Sequence, residues 1–102
     1  MQTLKGRMKM ANKLEEARKI INEVDAQMAE LFVKRMRAAE MVFDYKKEFG
    51  LPILDEKREV AVIEKNTALI EDDVLKEFYV GFIKNMMSIS RDYQKRMQDE
   101  LL

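Results

Sequence analysis

Apolar residues recur at three- and four-residue steps from about Asn12 to about Glu48: Leu14, Ile21, Val24, Met28, Leu31, Phe32, Ala39 and Val42. At roughly 100° per residue these positions gather on one face of a helix. No Gly or Pro interrupts the run, and Gly50-Leu51-Pro52 then ends it. Glycine past a helix end followed by proline is a stop signal. A second, short helix is predicted to start near Asp55, a good N-cap, and to end between Lys65 and Ala68. Glu56 and Glu59 fall in or near its first turn, where acids suit the helix dipole. A polar connection at Glu71-Asp72-Asp73 follows, and one of its acids can cap a third helix reaching about Gln98. That helix gathers Leu75, Phe78, Tyr79, Phe82, Ile83, Met86, Tyr93 and Met97 on one face.

The expected fold is therefore all-α: three helices, one very long, one short and one of medium length. Some 36 residues of helix extend roughly 54 Å, whereas a domain of about 100 residues has a radius of gyration near 13 Å. One chain cannot cover the apolar stripe of such a rod. The pattern predicts an intertwined homodimeric helical bundle, with a plain coiled-coil dimer as its simplest form.

Composition narrows the chemistry. The 102 residues amount to one domain, and Lys plus Arg balance Asp plus Glu at 19 each. That balance lacks the basic excess of a nucleic-acid binder. The chain has no Cys and no His, so thiolate chemistry, the usual general base and the commonest metal ligand are all missing. No apolar run approaches the roughly 20 residues of a membrane span. Residues 1–11 are basic, with Lys5, Arg7 and Lys9, and no apolar stretch follows them. They read as a flexible leader rather than a signal peptide, with residues 12–102 as the helical domain of a cytoplasmic protein.

Several polar residues stand where the pattern calls for apolar ones. Arg35 and Lys46 are 11 residues apart on the first helix, so they point within about 20° of each other, near the middle of its stripe. Burying unpaired cations is costly, so two of them on one apolar face need a reason. Either they snorkel to water or pair with acids on a facing helix, or they hold an anionic ligand. On the third helix Ser90 lies on the apolar face, and Gln94 follows one turn later at its edge. Arg18 lies about 80° from the stripe's centre, placed to reach a neighbouring chain. Asp55, Arg58 and Glu59 open the second helix, either as a cap with surface charges or as part of a polar cavity. Such a set, with arginines shaped for carboxylates, suits a small dianion. From the residues alone the reaction class stays open.

Taken in order, these residues resemble the helical chorismate mutases, all-α dimers that convert chorismate to prephenate in phenylalanine and tyrosine biosynthesis. The resemblance runs from Leu14 to Gln94. It opens with Leu14-Glu15-Glu16-Ala17-Arg18-Lys19-Ile20-Ile21-Asn22-Glu23-Val24-Asp25 and continues with Leu31, Arg35 and Lys46 at family spacing. Its most specific part is Gly50-Leu51-Pro52-Ile53-Leu54-Asp55-Glu56-Lys57-Arg58-Glu59, and it closes on Ser90-x-x-x-Gln94. Met36 departs from the pattern, because many relatives carry a second polar residue after the arginine matching Arg35.

The resemblance implies a division of labour. Arg18 of the partner protomer and Arg35 hold the two carboxylates of chorismate, with support from Arg58 and Ser90. Glu59 accepts from the substrate hydroxyl, with Asp55 beside it. Lys46 and Gln94 donate to the ether oxygen. No metal and no cofactor is implied. Two rival readings remain: an isochorismate pyruvate-lyase of the same fold, and a non-enzymatic helical dimer whose Arg35 and Lys46 pair with acids across the interface.

Overall fold

The computed structural model describes residues 4–101, and Met1–Thr3 and Leu102 lie outside that range. Its elements are α1 (Leu4–Glu48), α2 (Glu56–Thr67) and α3 (Asp73–Glu100), with no strand among the described residues. None of these helices is long and apolar enough to cross a membrane. α2 and α3 match the expected ranges to within about two residues. α1 does not, because it begins at Leu4 rather than about Asn12. Residues 4–11, read above as part of a flexible leader, are helical. Apart from Gly6 they are Leu, Lys, Arg, Met and Ala, all good helix formers, and Leu4, Met8 and Ala11 carry the three- and four-residue steps back from Leu14.

The chain divides into two units, one ending at Arg35 and the other beginning at Met36. The first is a stretch of helix without a second element to pack on. Its nine large apolar side chains from Met10 to Val33 are all exposed, from 39% at Phe32 to 62% at Leu31.

The second unit holds the core. Met36, Ala39 and Phe43 of α1 are buried, as are Ile83 and Met87 of α3. Both sets follow three- and four-residue steps, so each lies on one helix face. Met36, the departure noted above, is thus a packing residue. α2 buries none of its residues fully and contributes half-buried Val62 and Ile63.

Two packed faces differ from those expected. On α1 Val42 is exposed, while Met36 and Phe43 are buried; the packed face is turned about 60° from the centre of the apolar stripe. On α3 Leu75, Phe78 and Phe82 are exposed, while Met87 and Gln94 are buried. The apolar arc of α3 is wider than one contact. Its inner side faces the core, and its outer side is exposed.

Within this unit a polar brace ties α1 to α3. The Tyr93 hydroxyl donates to Glu40 Oε1 at 2.5 Å, and Arg37 donates to the same oxygen at 2.5 Å. The Glu40 carboxyl is held below its ordinary value, first by the Tyr93 hydroxyl and then by Arg37. The Tyr93 hydroxyl is held above its ordinary value, first by its bond to Glu40. Glu40 therefore stabilises the fold above the ordinary carboxylate range, and this is lost as pH falls through its lowered folded-state value. Tyr93 stabilises below its ordinary range, and this is lost as pH rises through its raised value. A Tyr93→Phe chain is expected to have a lower urea midpoint than wild type at about pH 7 and to show less further loss at about pH 10.5. Equal midpoints at about pH 7 would show that the brace adds no stability.

Candidate active site

The loop after α1 fixes the position of Lys46. Gly50 adopts φ +63°, a left-handed conformation open to glycine. Gly50 N then donates to Lys47 O at 3.4 Å, and Leu51 N donates to Lys46 O at 2.8 Å. This double closure satisfies the last carbonyls of the helix and turns the chain sharply. The Lys46 side chain makes a second tie, with Nζ donating to Ile53 O at 2.5 Å. An ammonium has three donors, so two remain. Half-buried Lys46 shares a hollow of about 400 Å³ with Leu51, Pro52, Leu54, Asp55 and Glu56. It also lines a second hollow, of about 370 Å³, with Phe43 and Gln98.

Asp55 has the cap role that its position predicts. Its Oδ1 accepts from Arg58 N at 3.0 Å, and its carbonyl accepts from Glu59 N at 3.0 Å. These bonds fix the start of α2 and hence the direction in which Glu59 leaves the helix. The Arg58 side chain is exposed.

Glu59 is not an unpaired acid. Its Oε1 accepts from Arg91 of α3, and both side chains are partly buried. They line a hollow of about 390 Å³ together with Glu56, Lys84 and Met87. Glu56 also lines the hollow of Lys46 and Asp55, so it stands between the two.

Ser90 and Gln94 sit one turn apart on the buried face of α3. Gln94 is 5% exposed, at the centre of that face rather than the expected edge. Its Oε1 has no hydrogen-bond partner. A buried acceptor left unpaired costs about 1–3 kcal/mol. A ligand that supplied a partner would recover that cost.

The structure thus brings Lys46 to Asp55, and Ser90 to Gln94. It places Arg58 and Glu59 outside the hollow shared by Lys46 and Asp55. The remaining two predicted residues belong to the first unit, where Arg18 is exposed and Arg35 half-buried. Sequence reasoning missed Arg91, Glu40 and the polar role of Tyr93. Glu59 and Arg91 are 32 positions apart, and Glu40 and Tyr93 are 53 apart. No local spacing rule links residues at such distances.

A model of the family described as chorismate mutase type II matches residues 17–95. That stretch is most of the chain. It begins one residue before Arg18 and ends one residue after Gln94, so it contains all eight predicted site residues. The chain belongs to the chorismate mutase type II family. Among curated proteins, the chorismate mutase of Methanocaldococcus jannaschii is 25% identical over 96 residues, covering 89% of this chain and 97% of that protein. No solved structure matches the chain. Membership of the chorismate mutase type II family makes the chain an isomerase of all-α fold. It also gives the cations and amides described above a substrate class to be weighed against.

Proposed function

We propose that this chain rearranges chorismate to prephenate, with Arg18, Arg35, Lys46, Asp55, Arg58, Glu59, Ser90 and Gln94 forming the site. The observation that carries the reading is the family match over residues 17–95, which spans all eight. The reaction is an intramolecular [3,3] shift. The ether C–O bond breaks as a C–C bond forms, and no atom enters or leaves. It requires no nucleophile and no proton transfer. A protein accelerates it by holding the substrate in its compact reactive conformer and by stabilising the charge that grows on the ether oxygen.

Each residue type suits its part. Arg18 and Arg35 grip the two carboxylates with forked donors. Arg58 and Ser90 support them. Lys46, with two donors left over, and Gln94, through the NH2 of its buried amide, donate to the ether oxygen. Glu59 accepts from the substrate hydroxyl, and Asp55 fixes the turn from which Glu59 projects.

The working form is a homodimer in which Arg18 reaches the partner's site. Two features support this. The apolar stripe between Met10 and Val33 is uncovered within one chain. Among the described residues no side chain is completely buried, so the core is thin for its length.

Incubation with chorismate tests the activity. The expected result is loss of chorismate and appearance of prephenate with saturable kinetics. A chain that leaves chorismate intact but releases salicylate and pyruvate from isochorismate would be a lyase instead. A chain inert to both substrates would be a helical interaction module.

A further inference from the structure

We infer that Arg91 is a positioning residue for this reaction, holding the Glu59 carboxylate in the orientation that receives the substrate hydroxyl. The inference rests on the reading of Glu59 given above. It begins from an ion pair that joins α2 to α3. Four charged side chains line the hollow between these helices: Glu56, Glu59, Lys84 and Arg91. Among the described residues, one ion pair forms across it, Arg91 to Glu59.

The pair leaves the carboxylate half-used. Arg91 engages Oε1, and among the described residues nothing donates to Oε2. A carboxylate can accept several hydrogen bonds, so one oxygen can be anchored while the other takes a ligand hydroxyl. Ionised donors and acceptors make the stronger hydrogen bonds, which suits an anchor. Arg91 also directly follows Ser90 and precedes Gln94 by three residues. One turn of α3 thus carries two proposed substrate contacts and the anchor for a third. Motion of that turn moves all of them together.

The competing account is an ordinary ion pair between partly exposed groups, which contributes little to anything. Kinetics separate the two. A hydroxyl contact present in both the ground and transition states appears in KM, whereas a lost folded fraction lowers kcat and leaves KM alone. Arg91→Gln is expected to raise KM for chorismate about tenfold with kcat within about threefold of wild type, the scale of a misaligned binding group. Arg91→Lys keeps a charged donor and is expected to return KM to within about threefold of wild type. In a Glu59→Gln background, Arg91→Gln is expected to change KM by less than about twofold, because its target is already altered.

Thermal melts of each variant check that it is folded. Three results overturn the inference: a wild-type KM in Arg91→Gln, a fall in kcat with KM unchanged, or the same rise in KM with and without Glu59. A wild-type chain inactive on chorismate would sink the functional reading and this one together. An active wild type with any of the three results sinks this one alone.

Discussion

A Lys46→Ala chain is expected to fold and to lose about two to three orders of magnitude in kcat, the scale of removing one donor from a developing oxyanion. In the rearrangement the breaking C–O bond loads negative charge onto the ether oxygen. A donor aimed there is stronger in the transition state than in the ground state, which is the condition for raising kcat. Lys46 meets the geometric requirement of being held. Its backbone carbonyl accepts from Leu51 N, and its Nζ donates to Ile53 O, so the side chain is tied at both ends to one loop. That tie is also the rival explanation, since a lysine can serve only to pin a loop. Removing a pin lowers stability by about 1 kcal/mol and leaves the catalytic step untouched. Steady-state kinetics on a variant shown by thermal melt to be folded separates the two. Loss of kcat beyond about a hundredfold supports the oxyanion role, and a folded variant within about fivefold of wild type removes Lys46 from the chemistry. Lys46→Gln should fall between them, because it keeps a donor but not its charge.

Local signals in the sequence were read well and remote ones were not. Asp55 and Asp72 cap α2 and α3 through their side chains, and Gly50 ends α1 at positive φ. Each of these acts within four residues, so type and spacing suffice. Periodicity found the helices but misplaced their packed faces. α3 carries an apolar arc broad enough for two contacts, and averaging over it put Phe78 inside and missed Met87. One packed face per helix is too simple a rule where an apolar arc is broad enough to leave part of itself exposed, as at Leu75, Phe78 and Phe82. Of the proposed site, Ser90 and Gln94 stood out because polar residues interrupted an apolar face, and both are buried. Arg91 did not stand out, since a cation at the flank of a helix looks like any solvated charge. Its partner Glu59 is on another helix, and only the packing of α2 on α3 brings them together.

Mixing two inactive chains is expected to restore activity. Arg18 lies on the stretch of α1 whose apolar stripe is exposed, and Arg18 itself is exposed. If that stripe packs on a second copy, Arg18 is carried toward the partner, and each site takes Arg18 from one chain and Lys46 from the other. Arg18→Ala removes a forked carboxylate donor and should cost about 3–5 kcal/mol, close to complete loss at ordinary substrate levels. Lys46→Ala is inactive for the reason given above. In a mixed dimer one site then receives both defects and the other receives neither. Random exchange of equal amounts makes about half of the dimers mixed, with one intact site in each, so about a quarter of wild-type activity should return. If Arg18 instead serves its own chain, every site in the mixture carries one defect, and activity stays at the level of the separate variants. A monomer by light scattering gives the same flat outcome and removes the dimer as well. The experiment therefore reads two claims at once. A rise toward a quarter requires both a dimer and a shared site, and a stable dimer without the rise leaves the dimer standing and returns Arg18 to its own chain.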